Sequence, residues 1–309
     1  MSFNFYFAGT QHESGEKLIV DLNANFLRSY HNDKKHITKL IELKKEGKWK
    51  GKLMVDSGAF TCWTKGIEIC PDTYIEWINE NSDYVDYFIQ LDSIPGKPNN
   101  PPTLEQAKQA TEQSWQNYVH MVENVKCPEK ILPVYHKGEP VSYLQQMLEY
   151  KINGKPIEYM CLGGQVTIRS QTERQKWYNY VFDIVQRSSN PNIKIHSLGC
   201  ANTSILDRYP FYSSDATSWI MVGSVGNIIT QYGCICVSDE KASEFQHIDN
   251  LPAEAKQHIL DECTEWGIDF NYLKESYRAR SMFNIQYLNR WATNYEYKGL
   301  KSFKRNTLF

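Results

Sequence analysis

The sequence lacks any long apolar run. Although 41% of its 309 residues are hydrophobic, no stretch approaches the roughly 18 apolar residues that a membrane-spanning helix requires. Residues 1–7 also lack the basic segment followed by an apolar segment that is typical of a secretory signal peptide. We therefore expect a cytoplasmic protein with no membrane partner.

An excess of charge of either sign is also missing. The 34 Lys and Arg residues nearly balance the 36 Asp and Glu residues, which gives a formal net charge of -2 at pH 7. This balance excludes a uniformly basic protein that coats nucleic acid, but it is compatible with a local basic patch on an enzyme. Aromatic residues make up 13% of the chain, and some of them could stack on nucleobases.

The cysteines show no framework spacing. Small secreted domains that depend on disulfides place their cysteines at close intervals, whereas these are scattered along a chain long enough to bury a large core. We expect free thiols in a reducing compartment. The eight residues are Cys62, Cys70, Cys127, Cys161, Cys200, Cys234, Cys236 and Cys263.

Neither an internal repeat nor a linker rich in Gly, Pro or Ser divides the chain, which predicts one catalytic domain over residues 1–309. Short apolar runs alternate with amphipathic segments, as expected for parallel strands joined by helices. The predicted strands cover residues 3–8, 52–56, 87–92, 131–136, 158–163, 193–199, 211–215 and 219–225. Eight strands favour an α/β fold of the (β/α)8, or TIM-barrel, type over the alternative, a doubly wound sheet. Residues 226–309 are predicted to be a C-terminal, mostly helical extension packed on or beside the barrel.

Helix-start signals support this alternation. Thr103 follows two prolines and precedes Gln106 by three residues, which is the pattern of a capping box. The predicted helices cover residues 72–81, 103–124, 141–151, 173–188, 252–266 and 270–292.

Polar residues and glycines follow the predicted strands where each strand ends. They are Asp56, Asp92, His136, Gly163 with Gly164, Gly199 and Asp215. In a barrel the carboxyl ends of all strands meet at one rim, where barrel enzymes keep their active sites. A single Asp after a strand is more often a helix N-cap, but several acids on one rim favour a catalytic site.

Several segments resemble motifs of tRNA-guanine transglycosylases, in the same order along the chain. Residues 56–60, Asp-Ser-Gly-Ala-Phe, resemble the Asp-Ser-Gly-Gly-Phe/Tyr motif of that family. Residues 90–92 (Gln-Leu-Asp) resemble the segment with its base-recognising aspartate, and residues 162–164 (Leu-Gly-Gly) resemble its glycine motif. Residues 214–219 (Ser-Asp-Ala-Thr-Ser-Trp) resemble the segment with its nucleophile.

The resemblance is closest to the DNA branch of this superfamily, the phage DpdA-type 7-deazaguanine DNA transglycosylases. That branch shares the Asp-Ser-Gly-Ala-Phe form, a His-Lys-Gly-Glu-like segment at 136–139 and a His-x-x-Gly segment at 196–199. The resemblance covers roughly residues 52–225. It implies a phage enzyme that acts in the host cytoplasm and exchanges guanine in DNA for a free 7-deazaguanine base, a modification that evades restriction.

The resemblance also implies roles for individual acids. Asp215 is the nucleophile that captures C1′ of the sugar, and Asp56 is the general acid/base on the side of the base. Ser57 is expected to hydrogen-bond to Asp56. Asp92 accepts hydrogen bonds from the N1–H and N2–H edge that guanine and 7-deazaguanine share.

Other residues are expected to complete the pocket. Gly58 lets the backbone approach a ligand closely, and the amides of Gly163 and Gly164 meet the O6 side of the base. Gln165 is a candidate for orienting the base. A histidine at a strand end is often a structural hydrogen-bonding group, so we assign His136 to the lining of the site. His196 is expected to support the site from behind.

Nucleic acid requires cations that hold its phosphates, and a stacked base must be flipped out or presented on a single strand. The candidate phosphate-binding residues are Arg278, Arg280, Arg290, Lys301, Lys304 and Arg305. For each of them a solvated surface position is an equally good interpretation.

The sequence departs from the tRNA branch at its zinc site, which has the form Cys-x-Cys-x-x-Cys with a distant His. Here Cys234 and Cys236 are present, but Asp239 stands at the place of the third cysteine. A structural zinc site needs four ligands, so we expect no cofactor and no metal, with a structural zinc as the less favoured alternative. Substitute ligands near in sequence are Cys263, His247 and His258.

Three alternative functions remain open. A tRNA-guanine transglycosylase would use the same fold and act on tRNA. A glycoside hydrolase also uses two carboxylates at a barrel rim. A non-catalytic nucleobase-binding protein would retain the pocket without needing Asp215. The sequence gives no indication of the oligomeric state.

Overall fold

The computed structural model describes residues 3–9, 12–97, 100, 102–164, 168, 170–241, 244–300 and 303. Within these residues the strands are β1 (Asn4–Phe7), β2 (Asn25–Ser29), β3 (Leu53–Asp56), β4 (Tyr87–Ile89), β5 (Ile131–Leu132), β6 (Val134–His136), β7 (Lys151–Ile152), β8 (Lys155–Pro156), β9 (Tyr159–Gly163), β10 (Lys194–Ser197), β11 (Ser213–Ala216), β12 (Asn227–Thr230) and β13 (Gly233–Cys236). Nine of them form one parallel sheet, and β7–β8 and β12–β13 form two separate antiparallel pairs.

The helices of the described ranges are α1 (Glu13–Asp21), α2 (Lys34–Lys45), α3 (Ala59–Lys65), α4 (Pro71–Asn81), α5 (Leu104–Asn124), α6 (Val141–Glu149), α7 (Gln171–Arg187), α8 (Thr203–Arg208), α9 (Ser218–Ser224), α10 (Ala253–Glu265), α11 (Phe270–Glu275) and α12 (Tyr277–Asn294). Thr103 forms the predicted capping box with Gln106 at the start of α5. In the described part of the chain, no helix combines the length and the apolar character that crossing a bilayer requires.

The nine-stranded sheet is nearly closed. Its order is β5-β4-β3-β2-β1-β11-β10-β9-β6, so β5 and β6 lie at opposite ends although only Pro133 separates them in the chain. The Leu132 carbonyl accepts from the N–H of Gln90 at 3.0 Å, on the side of β4. The Pro133 carbonyl accepts from the N–H of Cys161 at 2.8 Å, on the side of β9. Residues 131–136 therefore join the two ends of a barrel-like sheet, and the proline, which has no N–H, explains the break between β5 and β6.

The strand prediction is wrong in two places. Residues 219–225 were expected to form a strand, but they belong to the buried helix α9, because a short apolar run does not distinguish a buried helix from a strand. The strand β2 was missed because its sequence includes Arg28, which suggests a surface. The guanidinium of Arg28 is 1% exposed and donates to the carbonyl of Gly9 at 2.8 Å, which satisfies the buried charge in part.

The sheet separates two apolar layers, because successive side chains of a strand point to opposite faces. The interior layer is small and includes Tyr6, Met54 and Cys161. The outer layer, between the strands and the surrounding helices, is larger and includes Phe7, Val55 and most of the remaining core. The closed interior leaves the mouth of the sheet as the place where polar side chains meet.

The segment after residue 226 packs against the sheet and α9. The Asn284 side chain on α12 accepts from the N–H of Ile229 at 2.7 Å and donates to the carbonyl of Trp219 at 3.1 Å. The ring of Trp291 packs edge-on against Phe3, with centroids 5.0 Å apart. These contacts attach the C-terminal helices to β12, α9 and the first strand.

Candidate active site

Three acidic residues lie at the carboxyl ends of strands around the mouth of the sheet. Asp56 ends β3, Asp92 follows β4, and Asp215 lies on β11. Because β1 and β2 separate β11 from β3, Asp215 stands across the mouth from Asp56 and Asp92. The fold therefore brings together acids that are far apart in the chain.

The three carboxyl groups are close enough to interact. Burial raises the pKa of Asp56 to about 7; the N–H of Gly58 opposes this rise, and the charges of Asp92 and Asp215 add to it. Burial raises the pKa of the Cys161 thiol, inside the sheet, well above its ordinary value, and all three carboxylates contribute. Asp215 is paired with Tyr6, and Asp56 lies two residues after Met54, and both Tyr6 and Met54 face the interior. The acids therefore face a common space at the mouth of the sheet, which we call the chamber.

The backbone that follows β3 holds the Asp56 carboxylate. Its Oδ2 atom accepts from the N–H of Gly58 at 2.9 Å, and the N–H of Ser57 also stabilises the charge. The Ser57 hydroxyl, which we expected to be the partner, instead accepts from the N–H of Ala59 at 3.4 Å. Gly58 has a φ of 84°, and a Cβ there would lie 2.6 Å from the hydroxyl of Ser29. The site therefore requires glycine at this turn.

Asp215 is 7% exposed, and in the described part of the chain hydrogen bonds hold only one of its two carboxylate oxygens. Its Oδ1 atom accepts from the N–H of Gly199 at 2.9 Å and lies 3.2 Å from Nε2 of His196. Among the residues that the structure describes, none donates a hydrogen bond to Oδ2. One carboxylate oxygen is thus fixed, and the other is left for a ligand.

A buried chain of hydrogen bonds fixes His196 behind Asp215. His196 and Ser213 are both 0% exposed; His196 Nδ1 bonds to the Ser213 hydroxyl, which also bonds to the hydroxyl of Tyr159. One assignment of protons satisfies the whole chain: Tyr159 donates to Ser213, Ser213 to Nδ1, and Nε2 to Asp215. The structure places His196 next to Asp215, and its supporting role stays a prediction. Sequence reasoning missed Ser213 and Tyr159, because β9, β10 and β11 bring them together from distant positions.

Asp92 lies between an amide and an imidazole. Its Oδ1 atom accepts from Nε2 of Gln90 at 2.7 Å, and its Oδ2 atom is 3.5 Å from Nε2 of His136. Nδ1 of His136 lies 3.3 Å from Oε1 of Glu139. Burial lowers the pKa of His136, but the charges of Asp92 and Glu139 outweigh this effect and raise it to about 9. His136 is therefore a cation at neutral pH. Burial raises the pKa of Asp92, and the charge of His136 reduces this rise without cancelling it.

The two glycines after β9 leave space for this histidine. A Cβ on Gly163 would lie 2.6 Å from Cδ2 of His136, and Gly164 has a φ of 78°. Their proposed role opposite O6 of a base stays a prediction. Gln165 lies outside the described residues.

A cleft of about 490 Å³ opens beside Asp92 and is bordered by Trp63 and Leu91. Phe60 is 65% exposed next to it, and its ring centroid is 5.7 Å from that of Trp63. A larger cavity, of about 730 Å³, lies between α10 and α12 and contains none of the three acids at the strand ends. Of the two cavities, the cleft at the mouth is therefore the one that is lined by an acid from a strand end, Asp92.

The arginines predicted to bind phosphates differ in their surroundings. Arg280 is 2% exposed and donates to the carbonyls of Gly223, Leu273 and Lys274, so its charge is used inside the fold. Arg290 forms ion pairs with two glutamates and lies over the ring of Trp266, 4.5 Å from its centroid. Arg278 is exposed. Lys301, Lys304 and Arg305 lie outside the described residues.

The possible zinc ligands do not form a cluster with the two cysteines. Cys236 is 3% exposed, and its thiol donates to the carbonyl of Ser238 at 3.6 Å. In the described ranges, the group that could hold a metal consists of Asp239, His247 and Asp249, whose ligand atoms lie within 4.8 Å of one another. Both of its aspartates form ion pairs with lysines.

The chamber combines two kinds of carboxyl group. One with a pKa near 7 can donate and accept a proton at neutral pH, and one with a free oxygen can stabilise positive charge or form a covalent bond. Carboxyl groups on opposite sides of a chamber can carry out a double displacement at a sugar carbon. The sequence matches no family model and no curated protein.

Proposed function

We propose that the protein is a DNA-guanine transglycosylase on a (β/α)8 barrel, in which β5 and β6 form one strand that bends at Pro133. It exchanges guanine in DNA for a free 7-deazaguanine base through a covalent bond between Asp215 and the deoxyribose. The observation that carries this proposal is the common chamber of Asp56, Asp92 and Asp215, in which the pKa of Asp56 is about 7. The resemblance of residues 52–225 to the DNA transglycosylases is independent support.

The first displacement removes guanine. Oδ2 of Asp215 bonds to C1′ on the face away from the base, and the C1′–N9 bond breaks with its electron pair going to guanine. Asp56 gives its proton to the departing base, which leaves as neutral guanine. The bonds from Gly199 and His196 keep Oδ1 in place, so Oδ2 stays oriented towards the sugar.

The second displacement inserts the new base. The now ionised Asp56 takes the N9 proton of the 7-deazaguanine, and N9 bonds to C1′ while the bond to Asp215 breaks and restores its carboxylate. Two inversions at C1′ give net retention. A pKa near 7 suits both steps, because Asp56 must be an acid in the first and a base in the second.

Recognition of the base is assigned to Asp92 and its neighbours. The carboxylate accepts from the N1–H and N2–H edge that both bases share, and the charge of His136 favours its ionised form against the effect of burial. The amides of Gly163 and Gly164 are assigned to O6. A base that has left the duplex stack also needs an aromatic face, and the exposed ring of Phe60 offers one.

Exchange of isotopically labelled guanine tests this function. Purified protein is incubated with labelled guanine and either DNA or tRNA, and the label in each polymer is measured for the wild type and for Asp215→Asn. We expect label in DNA, none with the variant, and 7-deazaguanine in DNA when that base is supplied. Label in tRNA alone would identify the tRNA enzyme. Binding of guanine without exchange in either polymer would identify a non-catalytic protein. Cleavage of sugar substrates would identify a glycoside hydrolase.

A further inference from the structure

A second cleft, of about 460 Å³, lies beside Gly199, the residue that follows β10 and the loop at Leu198. It lies between the loop after β10, the helix α9 and the hairpin of β12 and β13, and it reaches α7 at Arg174. Gly199 belongs to both places, because it lines this cleft and its N–H bonds to Oδ1 of Asp215. A ligand in the cleft would therefore extend directly from a sugar held at the nucleophile.

The side chains that line this cleft are mostly neutral and polar. Among the described residues that form its walls, Arg174 is the one cation and there is no carboxylate, although the chain contains 36 acidic residues. Hydroxyl and amide side chains supply most of the polar surface. They are Asn202, Thr203, Ser204, Ser218, Thr230 and Gln231. Arginine, hydroxyl and amide groups without acids are the usual contacts of phosphodiester oxygens.

Arg174 has donor capacity to spare. One of its terminal nitrogens, Nη2, donates to the carbonyl of Ile168 at 2.8 Å, which orients the guanidinium. Its Nε is shielded from solvent and has no hydrogen-bond partner in the described part of the chain. A phosphate in the cleft cannot reach the shielded Nε, but Nη1 donates to no described residue, so the guanidinium can bond to an oxyanion through this nitrogen.

We propose that this cleft binds the phosphodiester backbone of the substrate strand, beside the nucleotide whose base is exchanged. Arg174 pairs with a phosphate, and the hydroxyl and amide groups complete its contacts. Phe245, which is 41% exposed on one wall, offers a face for a neighbouring base. The proposal rests on the transglycosylase function for the identity of the strand. It assigns phosphate binding to a surface other than Arg280, which donates to buried carbonyls, and Arg290, which is paired with two glutamates.

Two substitutions test the cleft by binding alone. Arg174→Gln removes the cation, and Ser204→Glu adds a carboxylate at the second position of α8, where a negative charge favours the helix. Arg187→Gln, on the same helix as Arg174, and Asn271→Glu, at the second position of the equally short α11, are the matched controls. Binding to fluorescein-labelled single-stranded DNA, and to RNA of the same sequence, is measured by anisotropy as a function of salt.

We expect both cleft variants to bind about tenfold more weakly at low salt. Arg174→Gln should also reduce the slope of log K against log salt by about 0.7, the value for one phosphate contact on a single strand. The controls should bind as the wild type does, and thermal unfolding midpoints within about 2 °C of the wild type would show that all variants fold.

The outcomes separate this proposal from the enzymatic one. Equal binding by cleft variants and controls, or no binding of either oligonucleotide by the wild type, would overturn the cleft. Weaker binding of the cleft variants, together with no guanine exchange by the wild type in any polymer, would support the cleft and refute the transglycosylase. An effect confined to RNA would support the cleft and assign the substrate strand to RNA.

Discussion

The proposed acid/base makes the folded protein less stable at neutral pH, and Asp56→Asn tests this directly. Burial raises the pKa of Asp56 from 3.8 to about 7. The folded state therefore binds this proton more tightly than the unfolded chain does. The free energy of unfolding must then fall as the pH rises from about 4 to about 7, and the loss is complete above the folded-state pKa.

The size of the effect follows from the shift. A difference of about three pKa units corresponds to about 4 kcal/mol at 1.36 kcal/mol per unit. Because Asp56 lies at the mouth and is partly accessible to solvent, we take about half of this value, about 2 kcal/mol. Asparagine is neutral at every pH, and its side-chain oxygen can still accept from the N–H of Gly58. Asp56→Asn should thus be about 2 kcal/mol more stable than the wild type at pH 8 and similar to it at pH 4.

Urea denaturation at the two pH values measures this difference, provided that the slope of the unfolding free energy with urea is unchanged. Asp83→Asn, at an exposed carboxylate, is the control and should show no such change with pH. Guanine exchange by Asp56→Asn should fall at least about 100-fold. A variant that is less stable than the wild type at pH 8, or a difference that does not depend on pH, would refute the burial of this carboxyl group in the chamber.

Three further predictions concern the pocket. Gly163→Ala places a methyl group 2.6 Å from the His136 ring, so kcat/KM for exchange should fall about 10- to 100-fold. Gly154→Ala, in the β7–β8 turn, meets open space, and its φ of 78° strains the turn; this control should lower stability and leave kcat/KM unchanged. Phe60→Ala should raise the KM for DNA about tenfold without loss of stability, because its ring is 65% exposed; equal KM values would remove it from the binding surface. Incorporation of 7-deazaguanine should be nearly irreversible, since that base has no N7 to protonate. If the enzyme released 7-deazaguanine from modified DNA as fast as it releases guanine from unmodified DNA, the mechanism would be contradicted.

The sequence predicted those parts of the fold whose signals are local. Seven strands were found because each is a short apolar run between helix signals, and the acids Asp56, Asp92 and Asp215 were found because they stand where such runs end. The strand β2 was missed because its charged residue, Arg28, is neutralised by partners at distant positions in the chain, among them Glu16. Apolar pattern alone carries no information about such partners.

The parts of the site that depend on strand register could not be predicted. His196 lies beside Ser213 because β10 pairs with β11 in one register, and a shift by one residue would point one of them to the other face. The burial of the C-terminal arginines could not be predicted either, because it depends on how α12 packs. Arg280 and Arg278 are two residues apart, yet one is buried and the other exposed, and the sequence does not indicate which side of α12 meets α9.

The mouth of the sheet is lined by acidic side chains, and the cleft beside it is lined by an arginine. In the proposed reaction, this difference in charge would orient the substrate. The chamber holds three acids and the His136 cation, so in the proposed reaction it would favour the positive sugar and the polar edge of guanine. A phosphate in that chamber would be repelled by Asp215 and Asp56. The cleft that begins at Gly199 has an arginine and no acid among its described walls. A nucleotide can therefore place its base and sugar in the chamber and its phosphate in the cleft, and the reverse orientation is disfavoured by charge.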